Sequence, residues 1–583
     1  MDSESSEERR EQQCSVEESD NQHLEASIGI YSELPEGAFI RYLILEPGTT
    51  EPISCRLITV ALEETPPFEA ISYVWGSNER NQPITCNRAT LGITANLRDT
   101  LYQVRLEDQT RALWADSICI NQEDAQERGK QVALMEHIYS KAKRVLICIG
   151  LPGKEQSSLH AKSAQALVSD VNHMIDSELA KIDMDNDNYS NTFPYPEPGD
   201  AILSDTRWES LAVLHSQPWF TRGWVVQEAG LASVAVVLWG SVQIDWVSLV
   251  RVQLWLLRRA SKIRDTHPTL GISDLHVDIF ERQNSCEARC FYPDHTSTLL
   301  GTIDTLNQAR ELSLTDPRDR LHALLPLINA TDRTQLALEP DYTRHYLDDY
   351  LDFATRWLSM GRDSFELLHS VVHTESTLSD QFPSWVPRWN TDYHPVGCSH
   401  PASPQLLPRI TKEFSPSINL SIPDRILEVR GVIFDRVQFH TDTLSSHLSI
   451  DDPTITSFWN IASDMTTKSP YSPSSRPIAL ATAITLRRVL GDWTAWIAHR
   501  EAYISRLGAL RPPSDPAAAR GTAENFHAVS RQCVDKRRII LTERGYFGLA
   551  PRTVMLGDLC CILFGGRSSF ILRRRTHRER ECY

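Results

Sequence analysis

Between Tyr31 and Val145 the apolar and polar positions follow two rhythms. Short apolar runs bounded by polar or turn residues predict buried strands at 56-RLITVAL-62, 69-EAISYV-74, 111-RALWA-115 and 144-RVLICIG-150. Between the last two, Val132, Met135, Ile138 and Ala142 recur at three- and four-residue steps, which predicts one apolar stripe on a helix. Asn121 is the expected N-cap, with Asp124 completing a capping-box-like start. On the same helix, Arg128, Lys130 and Glu136 are expected on a solvated face. Strand, helix and strand in this order predict an α/β fold, with a parallel sheet covered by helices and right-handed crossovers. Further on, 206-TRWESLAVLHSQPWF-220 and 222-RGWVVQEAGLA-232 read as helices, and 233-SVAVVLWG-240 as another strand.

The rhythm breaks at residues 152–205, an expected insertion whose end, 183-DMDNDNYSNTFPYPEPGD-200, is polar and proline-rich. Asp183, Asp185 and Asp187 mimic the start of a calcium loop. Asn188 and Pro194 stand where such a loop needs its glycine and its bidentate acid, so no calcium is expected. The chain divides on pattern into a disordered acidic tail (1–27), an α/β domain (28–245) and a mainly helical region (246–424). A small β unit follows (425–583), with an insertion at 440–535 and a basic tail.

Composition narrows the function classes. Lys and Arg number 59 against 76 Asp and Glu, a net charge of −17, which argues against nucleic acid or an anionic membrane as the main partner. The apolar runs fall well short of the roughly 20 residues of a membrane span, and the acidic start 1-MDSESSEERREQQ-13 is unlike a signal peptide. The expectation is a soluble, cytoplasmic chain. The 12 cysteines show no framework spacing, and Cys55, Cys119 and Cys148 sit in apolar runs as small hydrophobes do. Cys286 and Cys290, with His276 and His295 nearby, lack a usual zinc spacing, so no metal is expected.

Phosphate-loop, dinucleotide-fingerprint, G-x-S-x-G and H-E-x-x-H signatures are absent. Three segments instead gather polar and aromatic residues at strand ends. The first, 69-EAISYVWG-76, delivers Ser72, Tyr73, Trp75 and Gly76. The second, 113-LWADSICINQED-124, turns from a strand through Asp116 and Cys119 to Asn121. The third, 218-PWFTRGWVVQEAGLA-232, carries Trp219, Arg222, Trp224, Gln227 and Glu228. Ligands of open parallel sheets sit beyond the carboxyl ends of strands, so Trp75, Gly76, Asp116 and Asn121 could border one crevice.

These segments, in this order and spacing, resemble the three conserved blocks of the fungal heterokaryon-incompatibility (HET) domain. Further stretches, 315-TDPRDRLHALLPL-327, 339-EPDYTRHY-346, 383-PSWVPRW-389 and 545-GYFGLAP-551, look like the regions flanking that domain in large fungal proteins. Two departures stand out: Ala115 replaces a branched residue, and the chain ends in arginines where such proteins continue with a glycine-rich β segment, which suggests a truncated or differently closed terminal unit.

The resemblance implies a role in fungal self/non-self recognition, with the domain as effector of regulated cell death. It also implies a sheet of the kind found in Toll/interleukin-receptor (TIR) and flavodoxin-like domains, some of which cleave NAD with one glutamate on a helix that begins with tryptophan. Glu228, four residues after Trp224, matches that outline. On this reading NAD is the substrate, no cofactor is required, Glu228 is the catalytic carboxylate, and Tyr73, Trp75, Gly76, Asp116, Asn121, Arg222 and Trp224 line the ligand site. A carboxylate beside the ribose can stabilise the oxocarbenium-like state of N-glycosidic cleavage without a metal.

Plainer readings stay open beside it. The tryptophans can fill a core. Asp116 can cap the turn that follows it. Glu228 can pair with a buried base other than Arg222, which lies too far along the chain for a one-turn pair. A non-enzymatic module acting by self-association, or through an incompatibility partner protein, is the alternative function.

Overall fold

The computed structural model describes residues 29–150, 155–182, 193–267, 269–291, 300–360, 364–391, 418–421, 425–463, 469–486, 493–507, 521–564, 566, 568–577 and 580–582. The acidic tail, the calcium-like run at 183–187 and His295 lie outside the described residues. The chain divides into two compact units, Met1–Asp349 and Tyr350–Tyr583.

The first unit is built on a nine-stranded sheet in the order β5-β4-β2-β1-β6-β3-β7-β8-β9. Its strands are β1 (Phe39–Leu45), β2 (Ser54–Ala61), β3 (Glu69–Tyr73), β4 (Gln82–Cys86), β5 (Ala89–Ile93), β6 (Arg111–Trp114), β7 (Val145–Gly150), β8 (Ala235–Trp239) and β9 (Val242–Asp245). The parallel sheet expected from the strand–helix rhythm forms the centre of a larger, mixed one. Neighbours β6, β3, β7 and β8 run parallel at its centre, whereas β1 is antiparallel to both β2 and β6. Connection length explains the difference. Two residues join β4 to β5 and β8 to β9, and so short a link permits only antiparallel pairing. Parallel strands need a crossover: the connection from β3 to its parallel neighbour β6 runs through the β4–β5 hairpin and helix α1 (Ala95–Val104), and that from β6 to β7 through α2 (Ala125–Lys141).

The stripe expected on α2 is buried as Val132, Met135 and Ile138, with Ala142 just past its end. The cap is not Asn121: Asp124 accepts from the amides of Gln126 and Glu127 at 2.9 and 3.0 Å, and so starts the helix one turn later. Lys130 is exposed. Arg128 is not on a free face, since its guanidinium lies 4.0 Å from the centre of the Tyr342 ring. Glu136 is likewise engaged, with Arg333 at 2.5 Å.

Within the expected insertion, residues 155–179 form helix α3 (Glu155–Leu179), which buries Ala161, Ala164, Leu167, Val168, Val171 and Ile175 in the main core. The segment 206–220 holds α4 (Trp208–His215) and a 3₁₀ turn at Pro218–Thr221. The segment 222–232 holds α5 (Trp224–Gly230). Helices α6 (Trp246–Arg258) and α7 (Asp274–Gln283) belong to the same unit.

The second unit holds helices Tyr346–Ser359 (in part), Ser364–His369 and Glu375–Ser379, and then the small β unit. Its five-stranded antiparallel sheet is formed by Gly431–His440 (β10), Arg537–Thr542 (β11), Phe547–Pro551 (β12), Leu559–Leu563 (β13) and Ser569–Leu572 (β14), in the order β12-β11-β10-β13-β14. Among the described residues, four helices between β10 and β11 bury Phe458, Ile484, Trp496, Tyr503 and Phe526 around the sheet residues Ile539 and Leu541. Among the described residues, no helix is long and apolar enough to cross a membrane.

Candidate functional site

β3 and β6 are parallel neighbours at the centre of the sheet, so their carboxyl ends face the same way, with Trp114 at the end of β6 paired to Ala70 near the start of β3. β3 is covered on both faces, buried from Ala70 to Tyr73, and Ser72 within it is 1% exposed. Its hydroxyl donates to Glu228 Oε2 and accepts from Trp219 Nε1 at 2.8 Å. Glu228 is itself 2% exposed, on α5, which buries every residue from Val225 to Gly230. The third sequence segment therefore folds back onto the first through a serine.

A second set of contacts joins the first segment to the second. The Tyr73 hydroxyl donates to Ser117 Oγ at 2.7 Å, and Trp75 Nε1 donates to Asp116 Oδ2 at 3.1 Å. The other oxygen of Asp116 accepts from the Ser117 amide at 2.7 Å, so the turn-capping role and the contact with Trp75 coexist in one carboxylate. Arg222 donates to the Tyr73 carbonyl. Its place just before α5 removes the objection from helical spacing, since it is not on the same helix as Glu228.

The electrostatics follow from two carboxyls and one guanidinium in a largely dry patch. Burial pushes the Glu228 carboxyl up to about 7; Arg222 opposes the rise and Asp116 adds to it. Burial also raises Asp116, again against the pull of Arg222. Tyr73 is held well above the usual phenol range by burial and by the nearby Asp116. The arrangement contains a carboxyl that exchanges its proton near neutrality, beside a cation and an indole.

Tyr73, Trp75, Asp116, Arg222 and Glu228 are thus brought together. Gly76 follows them in an exposed turn with φ +73°, and a Cβ there would lie 2.6 Å from Asn96 Nδ2, which bonds the Val74 carbonyl. Two of the sequence candidates point elsewhere. The backbone N–H of Asn121 donates to Glu127 Oε1 at 2.7 Å, joining the buried Arg41–Glu127 pair, and its Oδ1 accepts from the Glu123 N–H at 3.3 Å. Trp224 donates Nε1 to Asp319 Oδ2 at 3.0 Å. Trp114 and Trp219 are fully buried, as the core reading has it, while Trp75 and Trp224 are half-buried. The link through Ser72 was signalled only by its place in the buried run of β3, and Ser117 by nothing beyond its neighbour Asp116. Among the described residues no group of three His, Cys, Asp or Glu could hold a metal ion.

Comparison with known proteins covers the same residues. The family model described as Heterokaryon incompatibility protein (HET) matches residues 68–228. The chain is similar to the Neurospora crassa protein named "Heterokaryon incompatibility protein 6, OR allele", with 26% identity over 402 residues. That alignment takes in 60% of this chain and 58% of the relative, so the chain spans little more than half of that protein's length. No solved structure matches. The stretch that matches the heterokaryon-incompatibility (HET) model contains every member of the buried cluster from Ser72 to Glu228.

Proposed function

We propose that the chain acts in fungal self/non-self recognition, with its HET domain as an effector of regulated cell death that cleaves NAD at the nicotinamide–ribose bond. The observation that carries this reading is the buried Glu228 carboxyl, pushed up to about 7 beside Arg222 and Asp116. A group of that kind suits a step in which positive charge builds on a ribose. Nicotinamide leaves as the C–N bond breaks, Glu228 in its ionised form faces the oxocarbenium-like carbon, and water adds there. The products are ADP-ribose, nicotinamide and one proton. Trp75 offers a stacking surface at the rim, and ribose hydroxyls take the place of Ser72 as partners of Glu228. The likeness to a TIR-type, flavodoxin-like sheet belongs to this reading, supported by the four parallel central strands and the Trp224–Glu228 spacing.

The test is nicotinamide release by the purified full chain over a range of protein concentrations, run beside a NAD-cleaving TIR enzyme. The expected result is release that falls about 100-fold or more in Glu228→Gln. Intact NAD at every concentration, with an active control, overturns the enzymatic reading.

A second reading, a non-enzymatic module that self-associates or binds a partner protein, is favoured by one observation: Glu228 is 2% exposed and already bonded to Ser72. It predicts that killing survives Glu228→Gln and is lost on changing exposed residues of α2 such as Lys130 and Ala133. Arg128 and Glu136 are unsuitable probes of that surface, because both already hold partners within the unit.

A further inference from the structure

The family match ends at Glu228, yet several of its most distinctive residues are held by chain that comes much later. Ser313 runs beside Arg222 as a short parallel bridge, with Gly223 N to Ser313 O at 3.0 Å and Ser313 N to Thr221 O at 2.6 Å. Gly223 has no room for a side chain, since a Cβ there would lie 2.5 Å from the Leu314 side chain. One residue on, Trp224 donates to Asp319 Oδ2, and Tyr342 donates to Asp319 Oδ1 at 2.5 Å. The Tyr342 ring carries the guanidinium of Arg128 at 4.0 Å and that of Arg318 at 5.0 Å. Gln227 adds another tie when its amide takes the orientation that satisfies both neighbours, nitrogen toward Ala323 O at 3.2 Å and oxygen toward Glu136 N at 3.1 Å. All these residues lie in the first unit.

Physical scale gives this grip its meaning. Helix α5 has seven residues, two turns, and a helix so short does not hold itself. Its position comes from what packs on it and bonds to it. The buried face carries Val225, Val226 and Ala229 into the interior, while Trp224 and Gln227 are tied to the later segment.

We infer that residues 313–342 form a clasp on helix α5, with Asp319 as the positioning residue that fixes Glu228 against Ser72. Asp319 touches neither Ser72 nor Glu228; it acts through Trp224, one turn before Glu228. This rests on the reading of Glu228 as the acting carboxylate, but its test needs no substrate, so it can fail while NAD cleavage stands, or stand while NAD cleavage fails.

The groups that face Glu228 are Ser72 and Tyr73 on β3, Tyr139 on α2, Asp116 beyond β6, and Arg222 before α5. Those that face Asp319 are Trp224, Tyr342, Asp316, Arg128 and Arg318. If the clasp holds α5, loosening it lets water reach Glu228, and the burial that raises its titration weakens. The experiment uses the full chain and follows urea unfolding against pH in four proteins: the parent, Glu228→Gln, Asp319→Asn and the double variant. Within each background, the difference made by Glu228→Gln traces the titration of Glu228 alone, and the titration of Asp319 cancels. The expected midpoint is about 7 in the parent, falling by roughly one pH unit or more in Asp319→Asn. Trp224→Phe should give the same fall, with no further change when combined with Asp319→Asn. Tyr342→Phe, which keeps the ring under Arg128, serves if Asp319→Asn does not fold, and should move the midpoint in the same direction. A uniform loss of stability with an unmoved midpoint in Trp224→Phe and Tyr342→Phe overturns the inference.

Discussion

Glu127 and Glu228 lie in the same domain, are 8% and 2% exposed, and meet opposite kinds of partner. Glu127 faces a guanidinium: Arg41 reaches its two oxygens at 2.6 and 2.9 Å, and the Asn121 amide adds a third bond. Arg41 in turn donates to the carbonyls of Ser32 and Cys119, tying β1 to the start of α2. Glu228 faces a hydroxyl. Its nearest cation, Arg222, spends a donor on the Tyr73 carbonyl. A buried carboxylate met by a forked cation serves as a joint of the fold, whereas one met by a serine keeps its proton close to neutral pH. Residue type alone does not separate the two, because the difference lies in what comes across from a distant strand.

The largest effect expected from this contrast is at the paired glutamate. Glu127→Ala strands the Arg41 guanidinium in the interior and should cost about 3–5 kcal/mol, read as a lowered urea midpoint of the first unit. A cost close to that of a surface ion pair would remove the distinction between the two sites.

The next effect has the opposite sign. The folded-state titration of Glu228 lies above its ordinary value, so the folded chain holds a proton that the unfolded chain gives up. Stability from that group is full below about pH 4 and is lost as pH rises through about 7. Glu228→Gln should therefore match the parent at pH 4 and exceed it by up to ~3 kcal/mol at pH 8. Urea unfolding at the two pH values checks this, and a variant less stable than the parent at pH 8 would contradict it.

A smaller effect of the same origin concerns His276. Burial holds its titration down to about 3, its ring stacks on Trp219 at 6.3 Å, and neither of its nitrogens has a hydrogen-bond partner. Between its unfolded and folded titrations the unfolded chain binds the extra proton, so acid destabilises the parent from about pH 6.5 downward. His276→Phe should recover about 2 kcal/mol at pH 5 relative to its effect at pH 8. Thermal unfolding at both pH values measures the difference, and equal effects at both would count against the burial argument.

The central strands were legible because parallel strands covered on both faces read as unbroken apolar runs. That is why β3, β6, β7 and β8 fall where the pattern placed them, each within a few residues. Of the flanking strands, β2 falls on the predicted run 56–62, whereas β1 and the β4–β5 hairpin were hidden by local chemistry. β1 carries Arg41 in its middle, which reads as polar until Glu127 is seen beside it. The β4–β5 hairpin turns through Asn87 and Arg88, with φ of 51° and 71°, so an arginine sits where a glycine would have announced the turn. Helix α3 has a regular buried face, but the proline-rich stretch after it drew the whole region into an insertion. At the site, the ends of β3 and β6 were readable, and they placed Tyr73, Trp75 and Asp116 together. The turn of Trp224 away from the cluster was not readable, because its partner Asp319 lies in a segment that periodicity marks only as helical.

The central claim is that the Glu228 carboxyl does the work of the domain. Conditional expression of the full chain and of Glu228→Gln in a fungal cell, at matched abundance and with NAD followed in parallel, tests it most directly. The account predicts death with falling NAD for the parent, and survival with steady NAD for the variant. Equal killing by a folded Glu228→Gln chain would contradict it.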